Sequence, residues 1–396
     1  MAIAAKPEIP PWVPPSETKE NLDWASLRTL DLSKLDSDDP KDVEKLLEDT
    51  KYAIKNDGFL YLTNYGISLE KLHRQFAIAQ YLLDGNVITE EEKKQLEIQQ
   101  HTGSYAGYKP MKGWGAGNGS YDGIENFTFY SPQMENPDLR PRALEPFMDE
   151  VKDFWTYAHD NVNRRLLKLL SRVLELPDDY LWENVQSHEG EVCAEGYFRF
   201  VCYRPMEEGQ EGASMRIHGS DYDPARITPA DDHIDIGTTT LLFSVPITAL
   251  QVWNSKAEKW QWVKYKPGAL VINLGESLEI LTGGHFLATK HRVVAPPKDQ
   301  QHLPRLSCAM FCSARGDLKV SPLQDSPLIQ REGLLKKGVY GEFAKLSDAG
   351  LDVPDHDTWR KARRAYAQQG PAKQVTIEGV RYSEEVFNDI KVYVPV

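Results

Sequence analysis

Apolar residues recur at helical intervals along the first half of the chain and at alternate positions along much of the second. In PKDVEKLLEDTKYAIKN, residues 40–56, Val43, Leu46, Leu47 and Ile54 fall at helical spacing, and Asp57-Gly58 breaks the pattern before the apolar run FLYLTNYGI. The spacing predicts a helix, a turn and a strand. Another helix is predicted at about 69–83, and 89–100, TEEEKKQLEIQQ, opens with the Thr-x-x-Glu of a capping box. From about 141 to 186, Phe147, Val151, Phe154, Trp155, Ala158, Val162, Leu166, Leu169, Leu170 and Val173 recur every three or four residues, which predicts a long amphipathic helix or a pair.

Beyond Val192 the period becomes strand-like, in GYFRFVCY, TTTLLFSV, ALQVW, WQWVKY, ALVINL, HFLATKHRVV and RLSCAMFC. A run of short strands after a helical half predicts an α+β fold, with helices packed on a β sandwich or barrel. The expected division is an extended proline-rich arm (1–27), a helical and mixed region (28–190), a β core (191–325) and a C-terminal extension packed on the core (326–396). The extension is expected to be helical, through TWRKARRAYAQQ, with a strand candidate at its end in VFNDIKVYVPV. Its helix, at about 357–368, has two candidate roles, covering a pocket mouth or joining a homodimer. Two segments lack a period: 101–131, rich in Gly, Trp, Tyr and Asn, and the loop 206–232. Irregular segments of this length are either surface excursions or binding loops.

Composition narrows the partners. The chain is 41% hydrophobic and 27% charged, as in globular proteins, and its net charge of −13 disfavours nucleic acid and anionic membranes. Four cysteines, Cys193, Cys202, Cys308 and Cys312, without CxxC spacing suggest a reducing compartment. The opening MAIAAKPEIPPWVPP has no signal-peptide core, and no apolar run is long enough to cross a membrane, so a cytoplasmic location is expected.

Candidate chemistry begins at HIDIGTTTLLF, residues 233–243. In a strand, positions i and i+2 share a face, so His233 and Asp235 can aim at one point. Iron(II) oxygenases hold their metal with two histidines and one carboxylate on one face, leaving positions open for oxygen and co-substrate. The third ligand should be a histidine on another strand. His291, in ATKHRVV, fits best, while His285 shares its parity and is not excluded by alternation. Arg305 and Ser307 then form a second i, i+2 pair, suited to a carboxylate through the arginine fork and a hydroxyl.

In this order the residues resemble the 2-oxoglutarate and iron(II)-dependent dioxygenases, in the group that contains isopenicillin N synthase and the plant flavonoid and hormone oxygenases. The resemblance runs over roughly 28–325. It includes NDGFLYLTNYGI at 56–67, then Glu91, Glu92 and Lys93, and LVINLGESLEILTGGHFLATKHRVV, which favours His291 over His285. Two departures stand out: the family's Tyr-Pro pair reads Cys202-Tyr203-Arg204-Pro205 here, and the 206–232 segment is longer than the usual link to HxD.

The resemblance implies a double-stranded β-helix (jelly roll), with Fe(II) on His233, Asp235 and His291. It implies 2-oxoglutarate and O2 as co-substrates, with Arg305, Ser307 and Tyr203 binding the oxo acid, and succinate and carbon dioxide as co-products. Hydroxylation is the default outcome, with desaturation or cyclisation as variants. Some relatives instead use the RxS pair for the substrate's own carboxylate and consume no 2-oxoglutarate, and a non-catalytic ligand-binding relative is a further alternative. Tyr105, Tyr108, Lys109, Trp114 and Phe129 from the irregular segment, with Phe198 and Phe311 from strands, are candidate pocket residues. Together they suit a small, partly apolar molecule such as a secondary metabolite.

Overall fold

The computed structural model describes residues 6–98, 105–111, 123–188, 196–205, 233–335, 353–360, 374–377, 380–387 and 390–395. After the short strand β1 (Thr29–Asp31), helix α1 (Pro40–Asn56) starts where its local chemistry dictates. The Asp39 carboxylate accepts the Lys41 N–H, and Pro40 fills the first helical position, where a missing N–H costs nothing. Gly58, at φ 61°, then turns the chain into β2 (Phe59–Thr63); a Cβ there would lie 2.4 Å from the Leu287 carbonyl oxygen. Ser68 caps α2 (Leu69–Asp84), and Thr89 with Glu92 forms the predicted capping box of α3 (Glu90–Gln95).

Strands β3 (Gly107–Lys109) and β4 (Ile124–Phe129) and the short helix α4 (Ser131–Glu135) follow. The predicted long amphipathic stretch is α5 (Met148–Tyr157) and α6 (Arg164–Val173), joined by a π-helical turn at Ala158–Asn163, with α7 (Tyr180–Asn184) beyond. Next come β5 (Tyr197–Tyr203), β6 (Thr239–Phe243), β7 (Leu250–Asn254), β8 (Lys259–Trp262), β9 (Leu270–Leu274), helix α8 (Glu276–Leu281), β10 (His291–Val293) and β11 (Arg305–Phe311).

These strands make an eight-stranded sheet, in the order β1-β2-β9-β6-β11-β5-β4-β3, and a three-stranded sheet, β10-β7-β8. Apart from the parallel β1–β2 pair, neighbours run antiparallel. Phe59, Tyr61 and Val271 of the large sheet meet Leu250 and Val252 of the small one in an apolar cluster between them. This is the jelly-roll arrangement. The opposite face of the large sheet, through Leu60, Phe127, Phe198, Phe200, Leu241, Phe243, Cys308 and Met310, joins the main core with the helices. Phe154 of α5 lies 5.9 Å from the ring of Phe198 and 4.9 Å from that of Phe243. Each fully buried phenylalanine here contributes on the order of 1.5–3 kcal/mol.

The alternation along β4, β5 and β11 therefore runs opposite to that of an ordinary surface sheet. Apolar positions face outward onto helices, and the inward positions include Asn126, Thr128, Arg199, Tyr203, Arg305 and Ser307. A polar interior is expensive unless its groups are hydrogen-bonded to one another or to a ligand.

The arm from residue 6 runs extended over this body. Trp12 is buried and stacks on Phe76 at 4.6 Å, and Gln300 donates to the Ser16 carbonyl. Beyond the core lies helix α9 (Pro327–Arg331). The helical extension expected for 326–396 requires correction. A helix begins at 356–360, but 361–373 lie outside the described residues, and the tail then forms an antiparallel three-stranded sheet of β12 (Gln374–Ile377), β13 (Val380–Phe387) and β14 (Ile390–Pro395). β-Branched and aromatic residues within 374–395, among them Val375, Val386, Val392 and Tyr393, favour strand there, in keeping with the strand candidate at VFNDIKVYVPV. Among the described residues, no helix is long and apolar enough to cross a membrane.

Candidate metal and co-substrate site

HIDIGTTTLLF is not one continuous strand. His233 makes an isolated antiparallel bridge to His291, exchanging both backbone hydrogen bonds at 3.1 and 3.0 Å, and so extends the small sheet. The chain bends through 234–238 and enters the large sheet only at β6. Asp235 sits on that bend. The crossing brings the two imidazoles 4.3 Å apart, centroid to centroid, and gathers ligand atoms of His233, Asp235 and His291 within 4.8 Å of one another.

The carboxylate is held by one oxygen and offers the other. Asp235 Oδ2 accepts from Thr240 Oγ1 at 2.6 Å and from Asn273 Nδ2 at 2.8 Å. Its Oδ1 lies 3.7 Å from His233 Nε2 and 3.8 Å from His291 Nε2. The His291 Nδ1 is 3.1 Å from the Thr289 carbonyl, so the Nδ1–H tautomer leaves the Nε2 lone pair facing Asp235. Phe59 packs edge-on against the His291 ring at 5.3 Å. Burial alone would raise the Asp235 pKa, but the adjacent His291 and His233, with the Thr240 and Asn273 hydrogen bonds, bring it below its ordinary value. A carboxylate anion beside two imidazoles suits a divalent cation.

The backbone around Asp235 is equally confined. Its carbonyl accepts from Glu276 N–H at 2.7 Å. A Cβ on Gly275 would fall 2.1 Å from the Gly237 carbonyl oxygen and 2.8 Å from that of Asp235, so only glycine permits this approach. His356 of the C-terminal extension reaches in to hydrogen-bond Ser277 at 2.7 Å, and the Ser277 amide donates to Ile236. The rival histidine, His285, is elsewhere, with its Nδ1 3.0 Å from Glu332.

Arg305 and Ser307 point into the same interior from β11, Arg305 in register with Tyr203, whose ring centroid is 5.0 Å from the guanidinium. Both side chains are buried, yet Arg305 Nε and Ser307 Oγ have no hydrogen-bond partner. Burial pulls the Arg305 pKa below the ordinary guanidinium value, with Tyr203 opposing, and no described carboxylate pairs with it. A buried arginine that keeps an unsatisfied Nε, beside an unsatisfied hydroxyl, is the donor set an incoming carboxylate needs. The additional arginine, Arg204, turns to the other side of the sheet and binds Glu125 and Asp84, both at 2.7 Å.

The aromatic candidates separate by face. Phe311 and Lys109 lie on the inner face, the latter donating to the Ile124 carbonyl at 2.8 Å, and Tyr105 packs near the inner Tyr197 at 6.3 Å. Tyr108, Phe129 and Phe198 do not line this interior. They belong to the helix-facing core, where the Tyr108 hydroxyl meets Glu125 at 2.5 Å. Their expected place in a substrate pocket is corrected accordingly, because strand register turns them outward. Trp114 lies outside the described residues, as does 206–232. Thr240, Asn273 and Phe59 were not anticipated, since their roles depend on pairing between β2, β9 and β6.

Asn273→Ala is expected to leave the fold intact and to weaken iron(II) binding by roughly 10–100-fold, the usual cost of losing a hydrogen bond to a metal-ligating group. Anaerobic Fe(II) titration of the two proteins would check this, and unchanged affinity would show that Thr240 alone orients Asp235.

Two histidines and one carboxylate gathered between the sheets of a jelly roll, with a buried arginine and serine on the same interior, are the residue set of a non-haem iron oxygenase of the kind that consumes an oxo acid. Comparison with known proteins agrees. Residues 201–314 match the 2OG-Fe(II) oxygenase superfamily, and 27–147 match the family described as the N-terminal region of non-haem dioxygenases in morphine synthesis. A bi-functional coumaroyl CoA and feruloyl CoA ortho-hydroxylase of Ipomoea batatas is 25% identical over 338 residues, spanning 84% of this chain and 83% of its own. A 2-oxoglutarate-dependent dioxygenase of Dothideomycetidae sp. is 28% identical over 309 residues, 76% of this chain and 85% of its own. A full-length Neurospora crassa protein, solved in complex with alpha-KG and thymine, shares the fold at a TM-score of 0.65, with 17% identity, covering 86% of this chain and 96% of that one. The chain belongs to the 2OG-Fe(II) oxygenase superfamily, and it is an oxidoreductase that depends on Fe(II) and 2-oxoglutarate.

Proposed function

We propose that His233, Asp235 and His291 hold the iron, that Arg305, Ser307 and Tyr203 hold the far carboxylate of 2-oxoglutarate, and that the enzyme hydroxylates a small organic molecule, a secondary metabolite. The observation that carries this is the pair of orphaned buried polar atoms, Arg305 Nε and Ser307 Oγ, on the same interior as the triad. In a buried site such groups are costly until a ligand pairs with them. Hydroxylation is named for the Ipomoea batatas relative and needs no special placement of the substrate.

Held within this site, the metal and oxo acid would supply oxygen activation, with decarboxylation of the oxo acid to succinate and carbon dioxide providing two electrons. Overall, a C–H bond, O2 and 2-oxoglutarate become C–OH, succinate and carbon dioxide. The chain's own residues do the positioning. Thr240 and Asn273 fix Asp235, the Thr289 carbonyl fixes the His291 tautomer, and Phe59 with the apolar cluster behind it keeps water from that side. Lys109, Tyr105 and Phe311 contribute to the substrate side of the interior.

The Fe(II)-loaded protein, incubated in air with 2-oxoglutarate and a library of small metabolites, is expected to release one succinate per substrate gaining one oxygen atom. Product formed with oxygen uptake but no loss of 2-oxoglutarate would refute the assignment of Arg305 and Ser307.

A further inference from the structure

A second arginine faces the same interior. Arg199 lies on β5, four residues before Tyr203 and thus on its face, opposite Thr128 of β4 and Ala309 of β11. Its guanidinium carbon lies 4.9 Å from the centroid of Tyr197 and 5.4 Å from those of Tyr105 and Phe311. Nε donates to Thr128 Oγ1 at 2.9 Å, while Nη2 is buried without a partner. No described carboxylate pairs with it, whereas Arg74, Arg140 and Arg204 each meet one. Three rings and one hydroxyl thus orient this cation without neutralising it.

Position separates Arg199 from the oxo-acid pair. The Arg305 guanidinium lies against Tyr203 and that of Arg199 against Tyr197, at opposite ends of β5 and about 20 Å apart along the strand, so the two cations address different parts of the interior. Toward the metal the distance is modest. Thr240, which holds Asp235, pairs with Phe311, so Arg199 lies two strands across and two residues along, about 12 Å between Cα atoms. A molecule with a ring or two could span that gap.

We propose that Arg199 binds a carboxylate of the substrate, with Tyr197, Tyr105 and Phe311 as apolar walls, so that the substrate class is an aryl carboxylic acid oxidised at a carbon distal to its acid group. The inference rests on the proposed function. The charge-assisted fork supplies both affinity and orientation, whereas a neutral ester could accept one hydrogen bond through its carbonyl but would leave the guanidinium charge without a counter-ion.

The test uses the Fe(II)-loaded full chain under anaerobic conditions. Calorimetry first measures 2-oxoglutarate binding, then titrates phenylacetate, trans-cinnamate and 2-naphthoate, each against its methyl ester, into the 2-oxoglutarate complex. At least one acid is expected to bind about tenfold or more tightly than its ester, with Arg199→Gln abolishing the preference, Arg199→Lys retaining part of it, and 2-oxoglutarate affinity unchanged in both. The proposal is overturned if no acid is preferred over its ester, if Arg199→Gln keeps the preference, or if the preference is lost only on changing Arg305. Failure of 2-oxoglutarate to bind the unaltered protein would instead refute the proposed function. Arg199→Lys, which preserves the cation among its three rings, covers the case in which Arg199→Gln does not fold.

Discussion

Asp235→Ala is expected to abolish iron retention and to lower succinate formation at least about a thousandfold, equivalent to roughly 4 kcal/mol. The side chain is the one anion among the three ligands, and its position is overdetermined. Thr240 and Asn273 grip Oδ2, the Glu276 amide grips the main-chain carbonyl, and Gly275 closes behind it. Alanine removes the charge that balances the cation and leaves two donors in the barrel wall without an acceptor, at about 1–3 kcal/mol each where water cannot reach. Asp235→Asn keeps the shape while deleting the charge, so the two variants separate the electrostatic contribution from the packing one. Iron analysis after gel filtration, with succinate release, reads both effects. An Asp235→Ala protein that kept iron at the original affinity would place the metal elsewhere.

Arg305→Leu has the second-largest expected effect, and a paired one. Truncating one member of a buried charge pair costs about 2–5 kcal/mol, so a loss of about 3 kcal/mol would weaken 2-oxoglutarate binding roughly 150-fold. The unliganded protein should move the other way. Arg305 is a buried cation with an unpartnered Nε, and its replacement by an apolar side chain removes a desolvation cost that no carboxylate among the described residues repays. The unliganded Tm is thus expected to rise while the stabilisation by 2-oxoglutarate disappears; for the original protein at 100 times Kd that stabilisation would be about 2.7 kcal/mol. Thermal unfolding with and without 2-oxoglutarate measures both shifts. If the unliganded Tm fell and the ligand-induced shift persisted, Arg305 would be a structural residue and the oxo acid would be bound elsewhere.

Local signals along the chain specify the helix starts and the order of the site residues, but not the faces of the strands. The helix starts at Asp39-Pro40, Ser68 and Thr89 are local events, governed by a carboxylate or hydroxyl reaching its own backbone, and three or four residues suffice to recognise them. The order His233, Asp235, His291, Arg305, Ser307 was equally visible, because ligand chemistry restricts which side chains can serve. The pocket aromatics were a different matter. Tyr108, Phe129 and Phe198 looked like ring donors to a substrate, but β3, β4 and β5 pair so that these residues face the helices. A shift of one residue would have reversed every one of them.

What the sequence determined by itself was the kind of segment each stretch forms and the chemical character of the site: helices followed by short strands, and two imidazoles, a carboxylate, an arginine and a hydroxyl in a fixed order. Tertiary structure alone decided which oxygen of Asp235 is free, which side chains hold the other, and that Arg199 and Arg305 share one interior. The division has a physical cause. Capping and strand alternation act over a few bonds, whereas the grip of Asn273 on Asp235, the bridge from His233 to His291 and the ring of aromatics around Arg199 arise from pairings between segments far apart in the chain. Those pairings are selected by burying the apolar face of the large sheet against the helices, a condition on the whole chain.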